Sequence, residues 1–168
     1  MDSSLSELVD RIRSTYFAFD PASDADLNAA AERGVPETLL AFYRFADGAF
    51  LGSGDGFADP AGSRYRLMFP RLADLQTTQQ YGYVFDDAPY YANTGNWWQI
   101  IDYCDANWLA LDATPDGSGR ILDVFHETVG YDDEHDVVAI NLTELLQRVL
   151  DRGDLYWFDD DFQAHSRI

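Results

Sequence analysis

Gly34-Val-Pro-Glu-Thr-Leu-Leu-Ala-Phe-Tyr-Arg-Phe-Ala-Asp-Gly48 reads as a helix with both of its ends written into it. Pro36 suits the first helical turn, where a missing N–H would be unpaired anyway. Leu39, Leu40, Phe42, Tyr43 and Ala46 recur at the three-and-four spacing of one apolar face. Asp47-Gly48 ends the segment, because Gly48 can take the left-handed backbone conformation that closes a helix. Phe50-Leu51, followed by Gly52-Ser53-Gly54-Asp55-Gly56, then carries the chain into a sheet edge and a turn.

Working outward, Leu5, Leu8, Ile12 and Tyr16 give a helical stripe that Asp20-Pro21-Ala22-Ser23 breaks, and Ser23 is an N-cap for a second helical stretch from Asp24 toward Arg33. These apolar helix faces need a sheet to cover. Arg64 to Phe69 alternates basic and apolar residues as a half-buried strand does, and Pro70 permits a short helix through Leu72 and Leu75. Trp97 to Tyr103, Asn107 to Ala113 and Arg120 to His126 read as three strands of an antiparallel meander. Their turns are Asp105-Ala106-Asn107 and Pro115-Asp116-Gly117-Ser118-Gly119. Val137 to Ile140 adds a short strand. Asn141 with Glu144 three residues later forms a capping box for a helix through Leu142, Leu145, Leu146, Val149 and Leu150, ended by Gly153. The stretch from Thr77 to Asn96 reads as an irregular excursion of the kind that carries recognition residues. With no repeat, low-complexity tract or linker, the expectation is one α+β domain over residues 1–168, an antiparallel sheet with helices packed against it.

The helix closing on Asp47-Gly48 resembles a motif of the SUKH superfamily, where a leucine/valine-proline helix closes on Asn-Gly or a near equivalent. That superfamily includes bacterial immunity proteins against polymorphic toxins and fungal regulators of cell-wall synthesis. Here aspartate stands at position 47 in place of the usual asparagine. The resemblance resumes at Trp108-Leu109-Ala110-Leu111-Asp112, at Gly119-Arg120-Ile121-Leu122-Asp123-Val124-Phe125-His126-Glu127 and at Val138-Ala139-Ile140-Asn141-Leu142-Thr143-Glu144-Leu145-Leu146, so it spans roughly Asp24 to Leu150. It implies a SUKH-like fold and a protein that binds another protein, with no catalytic residues and no cofactor.

At 168 residues the chain is long enough to bury a substantial core. A hydrophobic share of 46% excludes a wholly disordered chain, and no run approaches the roughly 18 apolar residues that cross a bilayer. No secretory signal is visible at the N-terminus, which makes a cytoplasmic location the expectation. Cys104, the single cysteine, reads as a small buried hydrophobe without disulfide or zinc partners. The net charge of −19 disfavours nucleic acid and anionic membrane and favours a basic partner. All eleven cations are arginine and the acids are mainly aspartate, a bias that genome composition or a high-salt habitat would also produce.

Three histidines, one cysteine and many carboxylates form no recognised catalytic signature. Hydrogen bonding or exposure accounts for His126, His135 and His165, and a Cys104–His126 thiol pair lacks a third, orienting group. Asp132-Asp133-Glu134-His135-Asp136 concentrates possible metal ligands, yet consecutive loop residues cannot all face one ion, so a solvated acidic loop is the reading. Asp112, Thr114, Asp116, Gly117 and Asp123 resemble part of a calcium loop but are better explained as a hairpin turn. The more informative pattern joins carboxylates to large aromatics: Asp86-Asp87 beside Tyr90-Tyr91, Asn96 beside Trp97-Trp98, and Tyr156-Trp157-Phe158 beside Asp159-Asp160-Asp161. Tyrosine and tryptophan supply rigid contact area in binding hot spots, while carboxylates steer and pair with arginines and lysines. Asp86, Asp87, Asp132, Asp133 and Glu134 are the expected partner contacts, with Tyr90, Tyr91, Trp97 and Trp98 as aromatic anchors. The function expected from the resemblance is an immunity protein that neutralises a cognate toxin, a basic nuclease domain being the natural complement of the charge. The alternative is a regulatory scaffold of the same family without a toxin partner.

Overall fold

A computed structural model describes residues 4–81, 93–131, 133–153 and 155–168. Its elements in chain order are α1 (Leu5–Thr15), β1 (Phe17–Ala18), α2 (Asp24–Glu32), α3 (Glu37–Tyr43), β2 (Ala49–Ala58), β3 (Arg64–Phe69), β4 (Trp97–Asp102), β5 (Trp108–Asp112), β6 (Ile121–Val124), β7 (Val137–Ala139) and α4 (Leu142–Arg152). The seven strands form one antiparallel sheet whose spatial order is the sequence order, so the fold is α+β. Among the described residues, no helix is long and apolar enough to cross a membrane.

The caps place the helices. Ser4 and Glu7 form a reciprocal capping box at α1, and the Ser23 hydroxyl accepts from the Asp26 N–H at α2. At α4, Asn141 Oδ1 accepts from the Glu144 N–H at 2.8 Å, but the Glu144 carboxylate reaches back to the Ile140 N–H rather than to Asn141 itself. Pro36 sits at the N-cap position of α3 rather than inside its first turn. Leu39, Leu40, Phe42, Tyr43 and Ala46 are all buried, as their spacing requires.

Strand alternation sorts the core onto two faces. Leu109 and Leu111 of β5 join Leu51, Leu67, Phe69, Ile100 and Ile101 beneath the helices, where Leu8, Val9, Ile12, Leu145, Leu146 and Val149 close the main core. Trp108 and Ala110 point the other way, into a smaller cluster with Trp97, Leu122, Val124, Val129 and Val137. Trp108 donates its indole N–H to Thr78 Oγ1 at 3.2 Å, so the ring is buried without an unmet donor.

Two parts differ from the sequence expectation. The glycine-rich stretch after Leu51 is strand rather than turn: β2 continues to Ala58, with its register against β3 shifting between Ser53 and Phe57. Glycine permits this because a Cβ on Gly56 would stand 3.0 Å from the Tyr65 carbonyl oxygen. The sheet edge is β1, whose Phe17 and Ala18 pair with Phe50 and Ala49. At the other side the tail runs along β7. Val137 N–H donates to the Ser166 carbonyl at 2.8 Å, His165 N–H donates to the Val137 carbonyl, and Arg167 pairs with Asp136 at 2.7 Å.

The sequence expectation of a helix closed by Asp47-Gly48 is corrected: α3 ends at Tyr43 with Arg44 as its C-cap, and Asp47 lies beyond it, where its carboxylate ties the chain to the residues after β3. Its Oδ2 accepts from Arg71 Nε and an Arg71 NH2 at 2.9 and 2.7 Å, and its Oδ1 accepts from the Leu72 N–H at 2.8 Å. The next residue, Gly48, has φ +90°, and a Cβ there would stand 2.9 Å from the Phe69 carbonyl oxygen. The motif therefore locks α3 and β2 onto the end of β3. Replacing Asp47 by alanine is expected to cost about 1–3 kcal/mol by orphaning the Leu72 N–H. Asp47→Asn keeps that acceptor and should cost about 1 kcal/mol or less, a ranking that urea denaturation of the two variants checks.

Candidate partner-binding surface

Asp86, Asp87, Tyr90, Tyr91 and Asp132 lie outside the described residues. Trp97 and Trp98 are corrected from surface anchors to core residues: they are 5% and 8% exposed, and strand alternation sends them to opposite faces of the sheet. Asp133 and Glu134 are exposed, Asp133 with φ +61°, and their charges act on Arg167 of the tail. Between them and β7, His135 is buried. Its Nε2 accepts from the Gly130 N–H at 3.0 Å, and its Nδ1 faces the Asp123 carbonyl at 3.3 Å, a pattern that fixes the neutral tautomer with the proton on Nδ1. Burial lowers its pKa, and Trp97 packs edge-on to it at 5.1 Å. The histidine is a structural bolt holding the acidic loop to the sheet.

The remaining candidate chemistry resolves into structure. Cys104 is corrected from buried to exposed: it sits in the β4–β5 hairpin at φ +64°, with its N–H donating to Asp102 Oδ1. A tight five-residue loop, rather than hydrophobicity, sets its position. His126 is held by Asn107 Oδ1, which faces both its backbone N–H and its Nδ1. Asp112 is buried, and its oxygens are taken up by Thr114 and Arg120, so the turn is a closed ion-pair cluster. Among the described residues, no group of three or more His, Cys, Asp or Glu side chains converges to hold a metal ion. A recess of about 540 Å³ between the α2–α3 junction and the Thr77–Gln80 turn is lined by Arg33, Gln79, Gln80, Asn96 and Trp98, with no acid–base pair.

The tail constellation is the one that the tertiary structure assembles into a surface. Tyr156 and Trp157 are buried by a short 3₁₀ turn, Tyr156–Phe158, which leaves Phe158 62% exposed and followed by exposed Asp159, Asp160 and Asp161. Trp157 and Phe158 pack on Tyr103 at the end of β4, with ring centroids 5.6 and 6.3 Å away. Tyr103 in turn donates its hydroxyl to Asp123 Oδ1 of β6 at 2.7 Å. Burial raises the Asp123 carboxyl to about 6, against the Tyr103 hydrogen bond that favours the charged form, and Asp136 and Asp105 push it up further. Burial, then the neighbouring Asp123, drives the Tyr103 hydroxyl well above its usual range. Sequence singled out the tail aromatics and acids; it gave no sign that Tyr103 would pack on them while bonding to Asp123, twenty residues away. Their placement on strands flanking β5 required the register of the sheet.

Arg152 holds the acidic segment against α4 by pairing with Asp161 at 2.8 Å and Asp159 at 3.6 Å. The result is an exposed aromatic ring beside three exposed carboxylates, over a tyrosine–aspartate pair. This arrangement can attract and dock a cationic surface. Compared with known proteins, the chain matches no family model and no curated protein sequence.

Proposed function

We propose that the chain is a protein-binding inhibitor, an immunity protein that neutralises a basic toxin domain by covering its active site or its substrate approach. The observation that carries this reading is the exposed Phe158 beside Asp159, Asp160 and Asp161 in a chain of net charge −19. A nuclease toxin must hold polyanionic nucleic acid in a basic cleft, and a surface dense in carboxylates competes for the same cleft. Electrostatic steering makes such association fast, and an aromatic anchor slows its reversal. The exposed Asp133 and Glu134 extend the negative potential. The SUKH-like order of sequence blocks supports the same reading, and the protein acts in the cytoplasm, where a toxin entering a neighbouring cell would be met.

The test is affinity purification of the tagged chain from its native cells at low and high salt, with co-purifying chains identified by mass spectrometry. One basic toxin-like partner, recovered at low salt and lost as salt rises, is the expected result. Recovery of housekeeping proteins alone from cells shown to express the toxin would overturn the toxin reading in favour of a regulatory scaffold.

A further inference from the structure

We propose that Tyr103, Asp123, Trp157 and Phe158 form a recognition site for an arginine side chain of the protein partner. The site deepens the toxin-binding reading, on which it rests for the identity of that partner.

Asp123 is partly buried, and one of its oxygens is committed to the Tyr103 hydroxyl; among the described residues, no donor and no arginine reaches the other. Asp47, Asp59, Asp102 and Asp112, by contrast, have donors on both of their oxygens, from arginine, backbone N–H or hydroxyl groups. A partly desolvated carboxylate without a cation is an unfavourable arrangement that an incoming cation relieves. A buried donor lies in the same cluster. The Trp157 indole N–H is buried, with no partner at full hydrogen-bonding geometry, although it lies close enough to act on the Tyr103 hydroxyl. The second Asp123 oxygen is not a buried orphan, so it is open to a donor arriving from outside, while the Trp157 indole N–H, which a guanidinium cannot satisfy, serves to orient the tyrosine.

The surroundings select the cation. The rings of Tyr103, Trp157 and Phe158 stand within 6.3 Å of one another, and Phe158 is open to solvent. An aromatic cluster beside a carboxylate favours a planar, weakly hydrated guanidinium, which stacks on a ring while its N–H groups fork onto the acid. Lysine offers a compact, strongly hydrated charge that gains less from the rings. Asp105 and Asp136 act on Asp123 from the neighbouring segments, and although Arg152 pairs with Asp159 and Asp161 and Arg66 lines the recess beside Phe158, the carboxylates around the site outnumber these two cations.

The test uses the full chain, labelled with nitrogen-15 and titrated with two blocked peptides, acetyl-Gly-Arg-Gly-amide and its lysine counterpart. Saturable shifts at Tyr103, Phe158 and the Trp157 indole N–H, with arginine at least threefold tighter than lysine, are expected. Asp123→Asn should weaken the arginine peptide at least tenfold while leaving the chain folded, and Phe158→Ala, at an exposed position, should weaken it severalfold. Asp116→Asn, at the opposite end of β5, should change nothing. No saturable shift at millimolar peptide, shifts spread evenly over the acidic surface, or unchanged affinity in Asp123→Asn would each overturn the site. The same variants separate this inference from the broader reading. A captured toxin domain that binds Asp123→Asn and Phe158→Ala as tightly as the parent removes the arginine site and leaves toxin binding standing. Arginine binding without any toxin partner does the reverse.

Discussion

Replacing Asp112 by alanine is expected to destabilise the fold by about 3–5 kcal/mol, the cost of removing one member of a buried charge pair. Asp112 is 1% exposed, and Arg120 grips its Oδ2 through Nε at 2.9 Å and through an NH2 group at 2.8 Å. The other oxygen accepts from the Thr114 N–H and hydroxyl at 3.0 and 2.6 Å. Alanine would leave a partly buried guanidinium and two Thr114 donors without their acceptor. Gly117→Ala attacks the same cluster from the other side, because a Cβ there would overlap the Asp112 carboxylate, which Thr114 and Arg120 hold in place. It should cost a similar amount, about 2–4 kcal/mol. Since both changes dismantle one network, the double variant should cost clearly less than the sum. Urea denaturation at neutral pH reads all three. A loss below about 1 kcal/mol in Asp112→Ala would mean that the pair behaves as an exposed one.

Asp123→Asn should do the opposite and stabilise the protein at neutral pH, by about 2–3 kcal/mol. The native carboxyl titrates at about 6. In the unfolded chain it titrates at about 3.9, and each unit of difference is worth about 1.4 kcal/mol. Asparagine retains the oxygen that accepts from Tyr103 and carries no charge to desolvate. The sign follows from proton counting. Between about pH 4 and pH 6 the native state of the parent holds a proton that the unfolded state has released, so this group's contribution falls as pH rises through that window. The variant lacks this slope. Its advantage should be full above pH 6 and shrink to nothing below about pH 4, which thermal melts of both proteins across that range would show as converging midpoints. His135 tilts the parent's curve the other way. Its lowered pKa adds stability that is present above about pH 6.5 and lost as pH falls, but it is common to both proteins and cancels in the difference. Midpoints that stay parallel across the range would show that Asp123 is ionised as readily in the folded chain as in the unfolded one. A carboxylate that weakens the fold at neutral pH, where an asparagine would serve the packing, is consistent with a binding role.

Much of the architecture was legible because it is carried by local signals. The helical stripe from Leu39 to Tyr43, the caps Ser23 and Asn141, and the turn at Pro115–Gly119 each act within a few residues and appear where they were expected, although the helix stops short of the Asp47-Gly48 end that the sequence suggested. The meander through β4, β5 and β6 was readable for the same reason, since short turns leave neighbouring strands little choice of partner. The two-residue β1 was not, because two residues carry no period. The glycine-rich half of β2 was misread because glycine signals a turn in isolation, whereas here it permits a strand to bulge against β3.

The candidate surface divides along the same line. Sequence by itself determined the acidity, the coupling of Phe158 to Asp159, Asp160 and Asp161, and the strand placement of Trp97 and Trp98, because these depend on composition and adjacency. Only the tertiary structure decided that both tryptophans are core, that Cys104 is exposed, that His135 is a buried neutral bolt, and that Tyr103 meets both Asp123 and Trp157. Exposure and pairing are properties of what lies across the sheet, and what lies across the sheet is set by strand register and by the path of the tail. Neither is encoded in any short window of the chain, so residues far apart in sequence became one site only when the sheet closed over them.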